Sequence, residues 1–178
     1  STILKNNIAN NGGGVLLVSG VNSFDNVSGN NIANNGGYGI YLPYPMRPYK
    51  CLIYHNNFIN NTVQAYTLSA RAYWDDDYPS GGNYWSDYTG IDLYSGHYQN
   101  ETGSDGIGDT PYVIDVDNQD RYPLMHPWSP LPVHNINTGL GYATIQGAIN
   151  AKETLNGHTI FVEEGTYYEH VTINKSIE

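Results

Sequence analysis

Through the first third of the chain, short aliphatic runs alternate with pairs of asparagine, and the alternation repeats. ILKNNIANNGGGVLL at Ile3 to Leu17 returns as VSGNNIANNGGYGIYL at Val27 to Leu42 and as LIYHNNFINNTVQAYTL at Leu52 to Leu68. The pairs Asn6/Asn7, Asn30/Asn31 and Asn56/Asn57 recur at intervals of 24 and 26 residues, and Asn10/Asn11, Asn34/Asn35 and Asn60/Asn61 keep the same steps. A period in the twenties that joins short β-forming pieces through Asn and Gly is the pattern of a solenoid. Leucine-rich repeats share the period but need several leucines in each unit. The pattern therefore predicts an all-β fold, a right-handed parallel β-helix over residues 1 to 73, with three strands per coil. These are expected around Ile3, Ile8 and Val15, then Val27, Ile32 and Ile40, then Leu52, Phe58 and Tyr66. Asparagine suits the corners because it tolerates left-handed backbone angles and its amide can bond along a stack of equivalent asparagines.

Pro43, Pro45 and Pro48 interrupt the third side of the second coil, so YLPYPMRPYK is expected to bulge as a loop. Tyrosines crowd the same region: Tyr38, Tyr41, Tyr44, Tyr49, Tyr54 and Tyr66. Their rings can stack on sugars, so Tyr38, Tyr41, Tyr54 and Tyr66, with Trp74 at the start of the next segment, form the expected ligand face.

From Trp74 to Trp128 the alternation fades into turns such as Pro79-Ser80-Gly81-Gly82-Asn83, with Trp74, Tyr84, Trp85, Tyr88 and Tyr94 supplying apolar area. An open solenoid end exposes core and strand edges, so residues 74 to 128 are expected to cap the coils. The segment also carries Asp105, Asp109, Asp115, Asp117 and Asp120 close together in sequence. Carboxylates on glycine-rich loops are the ligands calcium prefers, although the spacing is not that of an EF-hand. Asp105 and Asp109, joined by Asp115 and Asp117, are the expected calcium ligands. A second acidic run, Asp75 to Asp77, could bind a cation or present an acid and a nucleophile to a sugar, although adjacent residues on a turn do not establish the separation a glycosidase needs.

Ser129-Pro130-Leu131-Pro132 opens a stiff linker over residues 129 to 137. Residues 138 to 178 then start a new pattern. Ile145, Ala148 and Ile149 share one helical face, with an N-cap near Tyr142 to Thr144 and a stop at Asn156-Gly157. Strands are expected at His158 to Val162 and Val171 to Ile173, separated by a turn. A short helix feeding strands is how a β-helix covers its first coil, so this tail reads as the cap and first coil of a second, truncated solenoid. The chain opens inside a repeat and stops just after a strand, as expected of a piece of a longer polypeptide.

Charge and composition narrow the partners. Seven Lys plus Arg against 17 Asp plus Glu give a net charge of -10, which excludes the basic footprint that nucleic acid requires and opposes binding to an anionic bilayer. No apolar run is long enough to span a membrane. Cys51 is the only cysteine, so no intrachain disulfide can form. The six histidines show no paired metal-ligand spacing, and only His126 beside Met125 has any interest for copper. Asn26, Asn60, Asn100 and Asn174 each begin a glycosylation sequon.

The asparagine-rich coils resemble the parallel β-helix repeats of the pectin-lyase-like superfamily. The nearest branch is the one named after the periplasmic copper-binding protein of nitrous-oxide reductase maturation. GGNYWSDYTGIDLYSG, GSDGIGDTPYVID and DRYPLM resemble the segment that closes such repeats in archaeal cell-surface proteins, and YATIQGAINAKETLNGHTIFVEEGTYYEHVTINKSI resembles the opening of another such domain. The resemblance implies an extracellular, cell-surface or periplasmic-side location and carries over no active site. The main functional expectation is a non-enzymatic structural or binding module that contacts polysaccharide or other surface proteins and self-associates through its ends. The alternatives are a fragment of a carbohydrate-active lyase, hydrolase or epimerase, and a copper-handling accessory protein.

Overall fold

The computed structural model describes residues 1–17, 24–43, 50–68 and 70–178. Most of the expected proline loop, with Tyr44, Met46 and Tyr49, lies outside them. A strand forms at each of the nine positions marked by the repeat. They are β1 (Thr2–Leu4), β2 (Asn7–Ala9), β3 (Val15–Leu16), β4 (Asp25–Ser28), β5 (Asn31–Ala33), β6 (Tyr38–Leu42), β7 (Cys51–Tyr54), β8 (Asn57–Ile59) and β9 (Val63–Thr67).

Each of β1 to β6 pairs in parallel with the third strand after it, which places β1-β4-β7, β2-β5-β8 and β3-β6-β9 side by side. The registers align like with like: Ile3 with Val27 and Ile53, Ile8 with Ile32 and Phe58, Val15 with Ile40 and Ala65. These columns supply most of the buried apolar core. Parallel pairing continues past Trp74, where β10 (Tyr84–Trp85) lies on β8 with Trp85 over Phe58. Their rings stack at 4.4 Å, and Tyr112 stacks on the far side of Trp85 at 4.2 Å.

The paired asparagines divide two tasks between them. Asn10, Asn34 and Asn60 take positive φ angles of 61°, 52° and 50° and turn the chain, while the following asparagines carry hydrogen bonds from turn to turn. On the inner ladder Asn6, Asn30 and Asn56 each donate through Nδ2 to the next Oδ1, at 3.1, 2.9 and 2.9 Å, and the run reaches Asn83. A second ladder passes from Asn35 to Asn61 at 2.8 Å and on to Gln64 at 2.9 Å. These side chains are buried from Asn30 onward. A buried amide without partners is costly, and the buried asparagine amides bond along the ladder and to a backbone carbonyl, as Asn56 Nδ2 does to Val27 O at 2.8 Å, while Gln64 Nε2 ends on Ser86 Oγ at 3.0 Å.

Two antiparallel hairpins follow: β11 (Tyr94–Ser95) with β12 (Glu101–Thr102), and β13 (Tyr112–Asp115) with β14 (Asn118–Asp120). The second closes the end of the core. Asn118 Oδ1 accepts from Ala72 N at 3.0 Å and from Trp74 Nε1 at 3.1 Å, and Asp120 takes the last amide of the inner ladder. Gly82 is required beneath it, because a Cβ there would lie 1.9 Å from Asp120 Oδ1.

In the tail, β15 (Val133–Asn135) is the centre of an antiparallel sheet between β16 (Leu140–Tyr142) and β17 (Ile160–Val162), and α1 (Ile145–Asn150) packs Ala148 and Ile149 inward. Thr144 caps α1, its Oγ1 accepting from Gly147 N at 3.0 Å. The helix ends at Ala151, short of the expected Asn156-Gly157 stop. No strand forms at Val171 to Ile173, whose residues are exposed and lack a neighbouring strand. The regular secondary structure of the described residues is thus almost all β, with α1 the one α-helix among them.

Candidate functional site

Tyr38, Tyr41 and Tyr66 come together on the outer face of the β3-β6-β9 sheet. Tyr41 and Tyr66 are register partners, and Tyr38, the partner of Val63 three register positions away, brings its ring onto that of Tyr66. Ring centroids lie 4.9 Å apart for Tyr38 and Tyr66 at 16°, 5.3 Å for Tyr38 and Tyr41, and 5.5 Å for Tyr41 and Tyr66. Tyr38 and Tyr66 are 38% and 39% exposed, and exposed Leu16, Val63 and Leu68 belong to the same or the adjoining strand positions. The ridge is apolar apart from its hydroxyls, and part of each ring face is spent on a neighbouring ring.

Tyr54 and Trp74 do not join this ridge. Tyr54 sits at the end of β7 in a different sheet, its ring edge-on to His55 at 5.0 Å. Trp74 is fully buried and donates to Asn118, so its expected place on the ligand face is corrected: the ring fills the end of the core. The indole carries a large apolar area together with one N–H, so it is stable inside the core where Asn118 accepts that N–H.

The four expected calcium ligands are also corrected, because folding splits them between two loops. Asp105 accepts from Gln99 Nε2 at 3.1 Å and Ile107 N at 3.0 Å, and burial pushes its carboxyl up. Asp109 accepts from Leu93 N at 3.0 Å and Tyr94 N at 3.1 Å. Asp115 and Asp117 stand at the β13–β14 turn, where Asp115 binds Thr67 and Asn118, and Asp117 pairs with Arg71. Burial works against the charge on Asp115, but the hydrogen bonds from Thr67, Asn118 and the Asp117 N–H outweigh it and hold the carboxyl below its usual range. These oxygens already face N–H and O–H donors, whereas calcium needs six to eight converging oxygens. Among the described residues no group of three or more His, Cys, Asp or Glu is placed to hold a metal ion. Asp92, which sequence reasoning passed over, joins Asp105 in fixing the first loop by accepting from Gly106 N at 2.8 Å.

The acidic run after Trp74 fans out in the same way. Buried Asp75 is bound by Arg121 Nε at 3.0 Å, Asp77 by Arg121 Nη2 at 2.9 Å, and Asp76 accepts from Ser80 Oγ at 3.0 Å. No two of them are left as an acid and a nucleophile facing a common cleft.

A cleft of about 840 Å³ separates this cap from the tail sheet, with His55, Asp105, His126, Trp128, His134 and Glu163 among its lining and no Lys or Arg. Ser80 Oγ lies 3.4 Å from His55 Nε2, which suggests a nucleophile and base. The stronger partners exclude that: His55 Nε2 faces the Ser80 carbonyl at 2.8 Å, and the hydroxyl donates to Asp76. His55 stacks on Trp128 at 5.3 Å, and burial lowers its pKa; burial also lowers that of His126. His134 Nε2 meets Glu163 at 3.2 Å.

With the parallel β sheets and these surfaces described, the chain falls in a class of β-rich repeat proteins. The family model described as the periplasmic copper-binding protein NosD matches residues 1–90, half of the 178-residue chain, and the chain belongs to that family. No curated protein and no solved structure matches it. The family description is periplasmic, and among the described residues no helix is long and apolar enough to cross a membrane.

The described residues do not fit a copper centre. Cys51 is sealed in the core, and burial pushes its thiol up to about 12, the opposite of what a thiolate ligand requires. Met125 and His126 line a separate shallow pocket with Asp92 and without a cysteine or second histidine among its described residues, and the imidazoles of His55 and His134 are engaged by Ser80 and Glu163. Met46 lies outside the described residues.

Proposed function

We propose that this chain is a structural and binding module working on the outer side of the cytoplasmic membrane. In this reading residues 1 to 73 are coils of a right-handed parallel β-helix, residues 74 to 128 close it, and residues 138 to 178 begin a second unit after a linker. Support for the coils comes from the pairing of β1 to β6 each with the third strand after it and from the two asparagine ladders. The NosD description supports the location.

The outer tyrosine ridge is the binding surface, and its ligand is a neutral polysaccharide. The observation that carries this reading is the gathering of Tyr38, Tyr41 and Tyr66 on one face. A ridge of hydroxyl-bearing rings contacts sugar through both apolar carbon and hydrogen bonds. Affinity electrophoresis through gels containing soluble neutral polysaccharides tests it. Y38A and Y66A should each weaken retardation about tenfold, equivalent to about 1.4 kcal/mol. Equal migration of wild type and both variants in every gel would overturn it. Turnover of the polysaccharide would favour the enzyme-fragment alternative, and self-association detected without sugar would identify the ridge as a protein contact.

The copper-handling alternative rests on the family description alone. Titration with Cu(I) and Cu(II) against a competing chelator should give no stoichiometric uptake. One-to-one binding lost in C51S or H126A would favour copper handling.

A further inference from the structure

We infer that Tyr66 and Tyr38 form a site of oxidative cross-linking, in which a dityrosine bond ties β9 to β6 and so fastens one turn of the chain to the next. The inference does not depend on any ligand bound at the ridge. Ortho coupling needs two phenols that stay in contact and can be reached by an oxidant. These two rings lie nearly parallel with centroids 4.9 Å apart, and both are more than a third exposed. Strand pairing fixes their backbones: Tyr38 is the register partner of Val63, and Tyr66 that of Tyr41 on the same pair of strands. Tyr41 is a second neighbour of Tyr66, at 5.5 Å, but is tilted by 42°.

Other tyrosines lack this combination. Tyr98 and Tyr168 are far more open, at 81% and 97% exposed, but no tyrosine ring packs on either. Tyr88 and Tyr112 are in contact edge-on at 6.4 Å, with Tyr112 stacked against Trp85 and its hydroxyl held by Asp87 at 3.2 Å. Among the described residues, exposure and near-parallel tyrosine contact coincide at Tyr38 and Tyr66.

The chemistry balances with hydrogen peroxide as oxidant and a peroxidase as catalyst. Each phenol gives up one electron and its hydroxyl proton. The two ring carbons ortho to oxygen then form a carbon–carbon bond, and each coupled carbon passes its hydrogen to the ring oxygen, restoring both phenols. One peroxide takes up the two electrons and two protons and leaves as two waters. Such a bond joins residues on adjacent turns and restricts the unfolded chain, as other cross-links do.

The test treats the whole chain, at high dilution, with horseradish peroxidase and limiting peroxide, without polysaccharide. Intact mass and dityrosine fluorescence read the yield, and peptide mapping locates the bond. The expected product is a monomer lighter by two hydrogens, its bond between Tyr38 and Tyr66, with a raised unfolding temperature. Y66F should lose the monomeric product, while Y41F and the Y98F/Y168F double variant should keep it. A bond mapped elsewhere, a product that survives in Y66F, or no monomeric product under conditions that couple free tyrosine would each overturn the proposal. Because no sugar is present, failure here leaves the electrophoresis result intact, and failure there leaves this one intact.

Discussion

Asp120 ends the inner amide ladder with a carboxylate that is fully buried. Its Oδ2 accepts from Asn83 N at 2.7 Å, Trp85 Nε1 at 2.9 Å and Asn83 Nδ2 at 3.3 Å, while Oδ1 has the single partner Tyr122 N at 3.1 Å. Burial pushes the carboxyl up to about 7 in spite of these donors, and Oδ1 is the oxygen with room for the proton. An unfolded aspartate ionises near pH ~4. Between that value and 7 the folded chain keeps a proton that the unfolded chain has released, so the contribution of this group to stability falls as pH rises and levels off above 7. The slope it adds is at most about 1.4 kcal/mol per pH unit. Urea unfolding from pH 4 to 8 should show this decline in the wild type relative to D120N. At neutral pH D120N should be less stable by about 1–3 kcal/mol, because one amide nitrogen must then face an N–H donor. Parallel pH profiles for the two proteins would refute the assignment.

The parallel sheets depend on the ladder rather than on any one strand, since the strands are only two to five residues long. Asn56 both accepts from Asn30 and donates to Asn83, so Asn56→Ala leaves the buried Asn30 N–H and the Val27 carbonyl without their partners. A loss of roughly 2–4 kcal/mol is expected in urea unfolding. Asn7→Ala removes only an exposed link from Asn31 and should stay within about 0.5 kcal/mol. Equal effects would mean that the ladder is not the source of stability. In the tail, Thr144→Ala removes the cap of α1 and should cost about 1 kcal/mol in the same measurement. The repeated asparagines made the ladders legible in sequence. Their endings were not, because Gln64 holds no repeated asparagine position and Asn83 and Asp120 lie beyond the repeat and reach it only through folding.

For the whole molecule, stability is expected to decline from coils to tail. Core columns, ladders and the β13–β14 hairpin enclose the first half, whereas residues 163 to 175 are largely exposed and form no strand. Hydrogen exchange followed by mass spectrometry should therefore find the slowest amides around Asn30, Asn35 and Asn56 and the fastest between 164 and 171. Uniform protection along the chain would contradict this gradient. The acidic surface follows the same division between sequence and fold. The excess of carboxylates is legible without any structure, but only the folded positions of Arg71 and Arg121 show that Asp117, Asp75 and Asp77 are paired.

The sequence by itself determined the periodic part of this protein: nine strands, their order, the asparagine corners and the helix that begins after Thr144. Period and pattern are local properties, and in a repeat each unit reports the same local rule several times over. Tertiary structure decided everything that depends on where non-repeating residues arrive. It drew Trp74 inward and separated Asp105 and Asp109 from Asp115 and Asp117. It placed Tyr38 against Tyr66 but Tyr54 on another sheet, and it turned Asp120 from one of five aspartates into the end of the ladder. The physical reason is that a carboxylate or an aromatic ring acquires its role from donors and neighbours brought from distant parts of the chain, and no local spacing encodes which ones will meet.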